Sequence, residues 1–278
     1  MTSGQGPRVG FIGLGSQGGP MARRIAEAGF PVTLWARRPE TLAPFAGTGA
    51  RTAASPADLA AASDLACVCV VDDAGVEQVV AGPGGLLEGM RSGRTIAVHS
   101  TVHPDTCRRL AETAAARGVA LLDAPVSGGG PAAEAGRLLV MVGGDDAVAE
   151  RCRPVFQTYG DPVVHLGPVG SGQRAKLVNN LLLAANLAVA ESAFALARSI
   201  DVDPARLSIV LANGSGASFG AGLLPGVGFS LATLGEHAGP LLQKDTRIVA
   251  ELAEAAGTDA ATVFDAADAA LESMGRAR

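Results

Sequence analysis

Only two of the 22 lysine and arginine residues of this chain are lysines, Lys176 and Lys244. An arginine guanidinium stays protonated at ordinary pH, whereas a lysine amine can be tuned by burial to act as a general acid or base. A lysine retained in a chain that otherwise uses arginine is therefore a candidate for proton transfer. Chance retention is the alternative for either lysine alone. Their neighbours favour chemistry, because Lys176 lies in GQRAKLVNN and Asp245 directly follows Lys244.

Lys176 has a polar neighbour at helical spacing. A helix is predicted over residues 173–199, and Asn180 lies four residues after Lys176 on the same face of it. Removing hydride from a carbinol carbon requires a partner that takes the hydroxyl proton, and a desolvated amine can do so near neutral pH. Asn180 can hold the amine or the substrate oxygen without adding charge, or it can simply be a polar packing residue. The pair predicts catalytic roles for Lys176 and Asn180.

A glycine-rich segment follows the first predicted strand, residues 8–12, and opens a helix. It reads Gly13-Leu14-Gly15-Ser16-Gln17-Gly18. In such a segment the first glycine permits a tight turn, the second lets backbone approach a pyrophosphate, and the third lets helix and strand pack closely. The helix N-terminus then offers N–H groups and a favourable dipole to phosphate. Because a second strand follows, these six residues are predicted to bind a dinucleotide rather than to form an ordinary tight turn.

The end of the second predicted strand, residues 32–36, discriminates between cofactors. Enzymes that use NAD usually carry Asp or Glu there, which binds the ribose 2′-hydroxyl. This chain has Arg37 and Arg38 instead. Two guanidiniums match a 2′-phosphate, where bidentate hydrogen bonding is strong, although a solvated basic turn is the alternative. The sequence predicts a preference for NADP(H), with NAD(H) possible.

Composition limits the class of protein. A chain of 278 residues with 48% hydrophobic and 18% charged residues can bury one large core or two ordinary ones. A net charge of −5 without a basic block argues against nucleic acid as a partner. We see no signal peptide, and the apolar stretch over residues 177–196 contains three asparagines and a glutamate, which favours a buried helix over a membrane span. The cysteines lack zinc spacing, so we expect free buried thiols, no metal site and a cytoplasmic protein.

Short apolar runs alternate with alanine-rich helical stretches through the first part of the chain, which predicts a parallel sheet with helices on both faces. Strands are predicted at 8–12, 32–36, 65–71, 95–99, 120–123, 138–142 and 163–166, and helices at 20–28, 57–62, 75–80 and 105–117. Beyond residue 168 only helices are predicted, at 173–199, 204–212, 231–256 and 260–274, with a long connection over 213–228. The predicted fold is α/β: a Rossmann-type, doubly wound sheet domain over residues 1–168, then an all-α domain over 169–278.

Five motifs, in order, resemble those of the β-hydroxyacid dehydrogenases, a family that includes 3-hydroxyisobutyrate dehydrogenase, tartronate semialdehyde reductase and the distant 6-phosphogluconate dehydrogenase. They are GLGSQGGPMA, STVHP at residues 100–104, DAPVSGG at 123–129, the G-x-x-x-K-x-x-N-N signature at 172–180, and the late pair Lys244-Asp245. The resemblance covers nearly the whole chain. It implies an NAD(P)-dependent oxidoreductase that interconverts a small 3-hydroxy acid and its semialdehyde or keto form.

The resemblance also implies roles for residues at the substrate. Ser127, Gly128 and Gly129 would hold the substrate carboxylate with a hydroxyl and backbone N–H groups, as concave peptide turns can do. A flexible loop is the alternative for this turn. Lys176 would be the general acid/base, and Asn180 would also contact the substrate.

Further implied roles concern the cofactor and the assembly. Thr101 would lie by the nicotinamide, Val71, Asp72 and Asp73 would line the cofactor, and Lys244 would reach the cofactor or close the site, oriented by Asp245. The helix from Gln173 would link the domains, and two chains would pack their all-α domains into a homodimer, with a homotetramer as the alternative assembly.

Two departures from the family's motifs bear on the substrate. The 6-phosphogluconate branch carries K-x-x-H-N, whereas Asn179 stands at the place of that histidine, which disfavours this sugar acid. Many small-acid enzymes of the family have phenylalanine seven residues before the KD lysine, where this chain has His237. His237 either makes a substrate pocket more polar or lies on a helix surface.

Three other functions fit parts of this pattern. Imine reductases share this architecture and use NADPH, but they usually replace the catalytic lysine with Asp or Tyr, so Lys176 and Asn180 disfavour them. A non-catalytic NADP-binding protein would not need Lys176, Asn180 and Ser127 together. A short-chain dehydrogenase needs Tyr-x-x-x-Lys, and the single tyrosine, Tyr159, lacks a lysine at that spacing.

Overall fold

The computed structural model describes residues 6–236 and 238–278. Contacts divide the chain into two units, the first ending at Lys176 and the second beginning at Leu177. The elements of the first unit are β1 (Val9–Ile12), α1 (Gly18–Glu27), β2 (Val32–Trp35), β3 (Arg51–Thr52), α2 (Pro56–Ala61), β4 (Leu65–Val68), α3 (Asp73–Ala81), α4 (Leu86–Gly89), β5 (Thr95–Val98), α5 (Pro104–Ala115), β6 (Ala120–Asp123), β7 (Val126–Ser127), α6 (Gly129–Glu134), β8 (Leu138–Val142), α7 (Asp146–Phe156) and β9 (Gly160–His165).

Six of these strands form one parallel sheet in the order β3-β2-β1-β4-β5-β6. All residues of β1, β4 and β5 are buried, as expected for strands covered on both faces, and this is why they appear in the sequence as continuous apolar runs. Strand β1 pairs with β2 on one side and β4 on the other, so the strand order reverses there. In doubly wound sheets ligands bind at the carboxyl ends of the strands at such a point. The predicted Rossmann-like fold is confirmed.

A second sheet of three strands, in the order β7-β8-β9, was not predicted. The sequence placed 138–142 and 163–166 in the parallel sheet, and this is wrong. Strand β8 pairs antiparallel with β7 and parallel with β9. Pro125 follows the end of β6 and has no N–H for a further ladder bond, so the chain leaves the large sheet there. A single antiparallel bridge between Asp123 and Gly143 joins the two sheets.

The second unit is helical, as predicted. Helix α8 (Ser171–Ser199) begins in the first unit, and it is followed by α9 (Pro204–Asn213), α10 (Phe219–Leu223), α11 (Gly239–Ala255) and α12 (Ala261–Ser273). Two predictions fail here. The connection over 213–228 contains α10 and a 3₁₀ turn, Leu224–Val227. The helix predicted over 231–256 is interrupted between a 3₁₀ turn, Leu231–Leu234, and α11, whose start carries Pro240, a residue suited to a helix's first turn.

Helix α8 has one buried and one exposed apolar face. Leu177 and Leu181 are buried, whereas Val178, Val189 and Leu196 are each about 60% exposed. By length and composition α8 is the one helix of the described residues that could cross a membrane, and 39% of its most apolar window is buried. The prediction of a buried helix is therefore wrong for the exposed face.

Candidate active site

The glycine segment after β1 has the geometry that dinucleotide binding requires. Gly13 has a positive φ of 93°, and a Cβ there would lie 2.0 Å from the carbonyl oxygen of Cys69, just after β4. A Cβ on Gly18 would lie 2.0 Å from the Gly13 carbonyl, so α1 can start this close to β1 only with glycine. Gly15 is exposed, and nothing lies within 4 Å of a Cβ built there. The segment therefore leaves bare backbone where a pyrophosphate would approach.

The rest of the segment leads into α1. Leu14 packs against the core, while Ser16 is exposed and Gln17 is the residue before the helix. No side chain caps the first turn of α1, and that turn contains no acidic residue. Phosphate oxygens would satisfy N–H groups at this helix start and would interact favourably with the helix dipole.

Arg37 and Arg38 lie at the same edge of the sheet as the glycine segment. Trp35, the last residue of β2, pairs with Ile12, the last residue of β1, so the chain segments that follow the two strands are neighbours. Both arginine residues are exposed. The residues present at this edge fit a dinucleotide cofactor.

In the segment after β4 the valine side chain is exposed, whereas the two aspartate carboxylates accept hydrogen bonds at the starts of α3 and α5. Val71 is 72% exposed. Asp72 caps α3 by accepting the Gly75 N–H at 2.8 Å. Asp73 accepts the N–H of His103 at 2.9 Å and the hydroxyl of Thr106 at 2.8 Å. Val71 is thus the member of this predicted cofactor-lining group whose side chain is exposed, while both aspartates form hydrogen bonds at helix starts.

The turn that carries Thr101 is held on both sides. Ser100 accepts the Val70 N–H at 2.8 Å, which joins the ends of β4 and β5. The Gln173 side chain donates to the Ser100 carbonyl at 2.8 Å and accepts the Val102 N–H at 3.1 Å. Gln173 is fully buried and lies three residues before Lys176 on α8. The helix of the predicted general acid/base therefore fixes the predicted nicotinamide turn.

The predicted substrate turn joins β7 to α6 and is not a loop without structure. Ser127 is partly exposed, and Gly128 and Gly129 have φ values of 129° and 71°, a region that disfavours other residues. A Cβ on Gly130 would lie 2.9 Å from the carbonyl oxygen of Ser16. The predicted substrate turn and the glycine segment are therefore in close contact.

Lys176 lies in the first two turns of α8 and is 8% exposed. The start of that helix is bound by Asp123, the last residue of β6. Its carboxylate accepts the Gly170 N–H at 2.6 Å and the Gln173 N–H at 2.8 Å. Burial raises the pKa of the Asp123 carboxyl, and these backbone N–H bonds oppose that rise by favouring the charged form.

In the second unit, Asn180 belongs to a hydrogen-bonded chain of side chains. Asn180 donates to Oδ2 of Asp245 at 2.6 Å and accepts the Asn179 amide at 3.1 Å. Lys244 donates to Oδ1 of Asp245 at 2.7 Å. Asp245 is 3% exposed, so a buried carboxylate holds both the predicted catalytic amide and the second lysine. The predicted substrate residue His237 lies outside the described residues.

A buried histidine binds the backbone that leads to the Ser127 turn. His99, just after β5, donates from Nδ1 to the Ala124 carbonyl at 2.7 Å, and its Nε2 accepts from the Tyr159 hydroxyl at 3.2 Å. Burial lowers the pKa of His99 to about 4. A neutral ring is therefore the form that supports the backbone leading to Ser127.

Sequence reasoning did not single out Asp123 or Gln173 as functional residues. Asp123 is the first residue of the DAPVSGG motif and Gln173 is the residue after the glycine of the lysine signature, so each lay inside a recognised motif. What was missing was their mutual contact, because the two residues are 50 positions apart.

Comparison with known proteins identifies the family. Residues 8–167 match the NAD binding domain of 6-phosphogluconate dehydrogenase, and residues 170–277 match the family described as NAD-binding of NADP-dependent 3-hydroxyisobutyrate dehydrogenase. The chain belongs to the β-hydroxyacid dehydrogenase family. A 3-hydroxyisobutyrate dehydrogenase of Pseudomonas aeruginosa is 37% identical over 222 residues, which cover 79% of this chain and 74% of that one. This β-hydroxyacid dehydrogenase is thus an NAD(P)-dependent oxidoreductase.

Solved structures support the same assignment. The 3-hydroxyisobutyrate dehydrogenase of Mycobacterium tuberculosis, solved with L-serine, has a TM-score of 0.82 and 26% identity, covering 96% of this chain and 94% of that chain. Psf3 in complex with NADP+ and 2-OPP has a TM-score of 0.83 and 25% identity, covering 96% and 93%. A reductive aminase from Aspergillus terreus, with a TM-score of 0.65 and 24% identity over 93% and 90%, shares the fold alone.

Proposed function

We propose that this β-hydroxyacid dehydrogenase interconverts a small 3-hydroxy acid and its semialdehyde or keto form with NADP(H), and that Lys176 is the general acid/base. The observation that carries the proposal is the pair of Gln173 side-chain hydrogen bonds to Ser100 and Val102. They fix the backbone on both sides of Thr101 from a position one helical turn before Lys176. A proton acceptor and the turn predicted to lie by the nicotinamide are thus held by one rigid element.

The proton is handled by this chain's own residues. During oxidation the Lys176 amine takes the proton of the substrate hydroxyl, and in the reverse direction it returns that proton to the carbonyl oxygen. When bound, the nicotinamide ring accepts or supplies the hydride. Asn180, four residues further along the same helix, has its amide oriented by Asp245 and can hold the substrate oxygen.

The substrate carboxylate is assigned to the Ser127-Gly128-Gly129 turn. Support comes from the positive φ values of the two glycine residues, which form a tight turn without side chains, and from the hydroxyl of Ser127 beside them. The close approach of Gly130 to Ser16 puts this turn next to the glycine segment. A small acid offers few groups to bind, so its charge must fix the pose from which hydride can move.

The cofactor is proposed to be NADP(H), with NAD(H) as a weaker alternative. Gly13 to Gly18 would hold the pyrophosphate, and Arg37 and Arg38 would bind the 2′-phosphate. The similarity to Psf3, solved with NADP+, is consistent with this choice. Val71, Thr101 and Lys244 would contact the remainder of the cofactor.

A homodimer or homotetramer is the proposed assembly. Support comes from the exposed apolar face of α8, where Val178, Val189 and Leu196 are about 60% exposed, since large exposed apolar patches mark association sites. Light scattering of the purified protein tests the assembly.

A cytoplasmic location is also proposed, supported by four cysteines that are free thiols.

The function is tested with a panel of small 3-hydroxy acids and their semialdehydes, each with NADP(H) and NAD(H), read by the absorbance of the reduced nicotinamide. A cyclic imine is included in the panel. An enzyme that reduces the imine but turns over none of the hydroxy acids or semialdehydes would be an imine reductase. That result would refute the proposed reaction.

The role of Lys176 is tested by the substitution Lys176→Arg, which keeps the positive charge but cannot transfer the proton. We expect a loss of ~10²–10⁴ in kcat with cofactor binding retained. The matched control is Arg174→Lys, which reverses the exchange at an exposed position two residues earlier and should retain turnover. A Lys176→Arg enzyme that kept most of its kcat would exclude Lys176 as the acid/base.

A further inference from the structure

The carboxylate of Asp123 is fully buried and is bound by the N-terminus of α8. Oδ1 accepts the N–H of Gly170 at 2.6 Å, and Oδ2 accepts the N–H of Gln173 at 2.8 Å. The first N–H groups of a helix have no partner within the helix, and a negative charge there also interacts favourably with the helix dipole. The two oxygens therefore bind the residue just before α8 and the third residue of α8, which fixes both the position and the direction of the helix start.

Two glycine residues leave only enough space for this carboxylate. A Cβ on Gly143 would lie 2.5 Å from Oδ1, and a Cβ on Gly172 would lie 2.9 Å from Oδ2. Any larger residue at either position would displace the carboxylate or the start of α8. The close packing means that Asp123 has little freedom to move relative to the helix.

The backbone of Asp123 fixes the other side of the same residue. Its N–H donates to the Gly143 carbonyl at 3.0 Å, and its carbonyl accepts the Gly143 N–H at 2.7 Å. Ser127 lies four residues after Asp123, and on α8 Lys176 lies three residues after Gln173. Asp123 is thus four residues from the proposed carboxylate site in sequence, and its side chain binds α8 one helical turn before the proposed acid/base.

We propose that Asp123 is a positioning residue for the reaction, which holds Lys176 in register with the Ser127 turn by binding the start of α8. The inference rests on the proposed role of Lys176. Its physical basis is that a small displacement of a reacting group lowers the rate without removing the group. Asp123 itself contacts neither substrate nor cofactor in this scheme.

The test compares Asp123→Asn with the wild-type enzyme and repeats the comparison in a Lys176→Gln background. An asparagine keeps the size of the side chain but has one oxygen, so an NH₂ group would face one of the two N–H donors. We expect kcat to fall about 100-fold in the wild-type background. In the Lys176→Gln background we expect a further loss within about twofold, because the displaced group is already absent. Calorimetric Kd values for NADP(H) should stay within about twofold.

Leu122→Ala is the structural control. It removes a fully buried side chain from the adjacent position of β6 and leaves the carboxylate in place, so it should lower Tm while retaining kcat. Should Asp123→Asn fail to fold, Asp123→Ser replaces it in the same cycle, since a smaller side chain removes the carboxylate that accepts the Gly170 and Gln173 N–H groups. We expect the same dependence on Lys176.

The outcomes separate the two proposals. An equal loss from Asp123→Asn in both backgrounds, or a loss of kcat in Leu122→Ala as large as that of Asp123→Asn, would overturn the positioning role while leaving Lys176 as the acid/base. A Lys176→Gln enzyme with wild-type kcat would overturn the proposed function itself.

Discussion

Asn180 donates a 2.6 Å hydrogen bond to the same Asp245 carboxylate that accepts the Lys244 amine at 2.7 Å. The oxygen of the Asn180 amide already accepts from Asn179, so the orientation of this amide is fixed on both sides. The late KD pair of the family is therefore joined, within the second unit, to the asparagine of the lysine signature 65 residues earlier.

Replacing Asp245 should destabilise the enzyme more than replacing an exposed aspartate of a helix. We expect Asp245→Ala to lower the free energy of unfolding by about 2–4 kcal/mol, because it removes the buried acceptor of both Asn180 and Lys244. Urea unfolding measures this. Asp265→Ala, at an exposed position of α12, is the control and should change the free energy by less than about 0.5 kcal/mol. Equal effects of the two substitutions would show that the Asp245 bonds contribute nothing to stability.

Arg37 and Arg38 should set the preference between the two cofactors. We expect Arg37→Ser and Arg38→Ser each to raise KM for NADP(H) by roughly tenfold or more, because a charged hydrogen bond to the 2′-phosphate is lost. KM for NAD(H) should be nearly unchanged. Arg91→Ser is the control, since this exposed residue lies four positions before β5, at the opposite edge of the sheet. Equal wild-type kcat/KM values for the two cofactors would contradict the prediction.

Ser127→Ala should weaken binding of the acid and little else. The loss of one hydrogen bond to a carboxylate predicts that KM for the hydroxy acid rises about 10- to 100-fold. The equivalent alcohol without a carboxylate serves as the control substrate. It should be poor with the wild-type enzyme, and its kcat/KM should not change in the variant. A parallel fall for the acid and the alcohol would place the serine outside the carboxylate site.

The buried His99 should make the enzyme acid-sensitive. Its pKa is 6.5 as an ordinary histidine and about 4 in the folded enzyme, so as pH falls the unfolded chain takes up the proton first. Stability is therefore lost as the pH falls from about 6.5 towards 4. Linkage predicts that between pH 8 and pH 5 the wild-type enzyme loses about 2 kcal/mol more of its free energy of unfolding than His99→Asn. Urea unfolding at both pH values checks this, and identical losses in the two proteins would refute it.

The large sheet and the glycine segment could be predicted because their causes are local. Buried parallel strands are continuous apolar runs, and Gly13 and Gly18 are required by contacts with the strand and helix that flank them. The small sheet could not be predicted, since the apolar run of β8 does not show which strand it pairs with. Helix α7 was missing from the predicted helices, although Asp145 caps it by accepting the Val148 N–H.

The candidate site was predicted as a set of motifs but not as a set of contacts. Lys176, Asn180 and Ser127 could be named from the residue types that proton transfer and carboxylate binding require, and their roles stay predictions. The bonds of Gln173 to Ser100 and Val102 span more than 70 residues, so only the folded chain shows them. The same holds for the Asp123 carboxylate, whose donors come from a different element.

Trp35 gives this enzyme a built-in optical probe. It is the only tryptophan in the chain, and it ends β2 beside the last residue of β1, two positions before Arg37. Its emission overlaps the absorption of reduced nicotinamide, so energy transfer from this one indole would report cofactor occupancy without any label. Because a single tryptophan emits, a change in the fluorescence of any variant could be assigned to the edge of the sheet where β1 and β2 end.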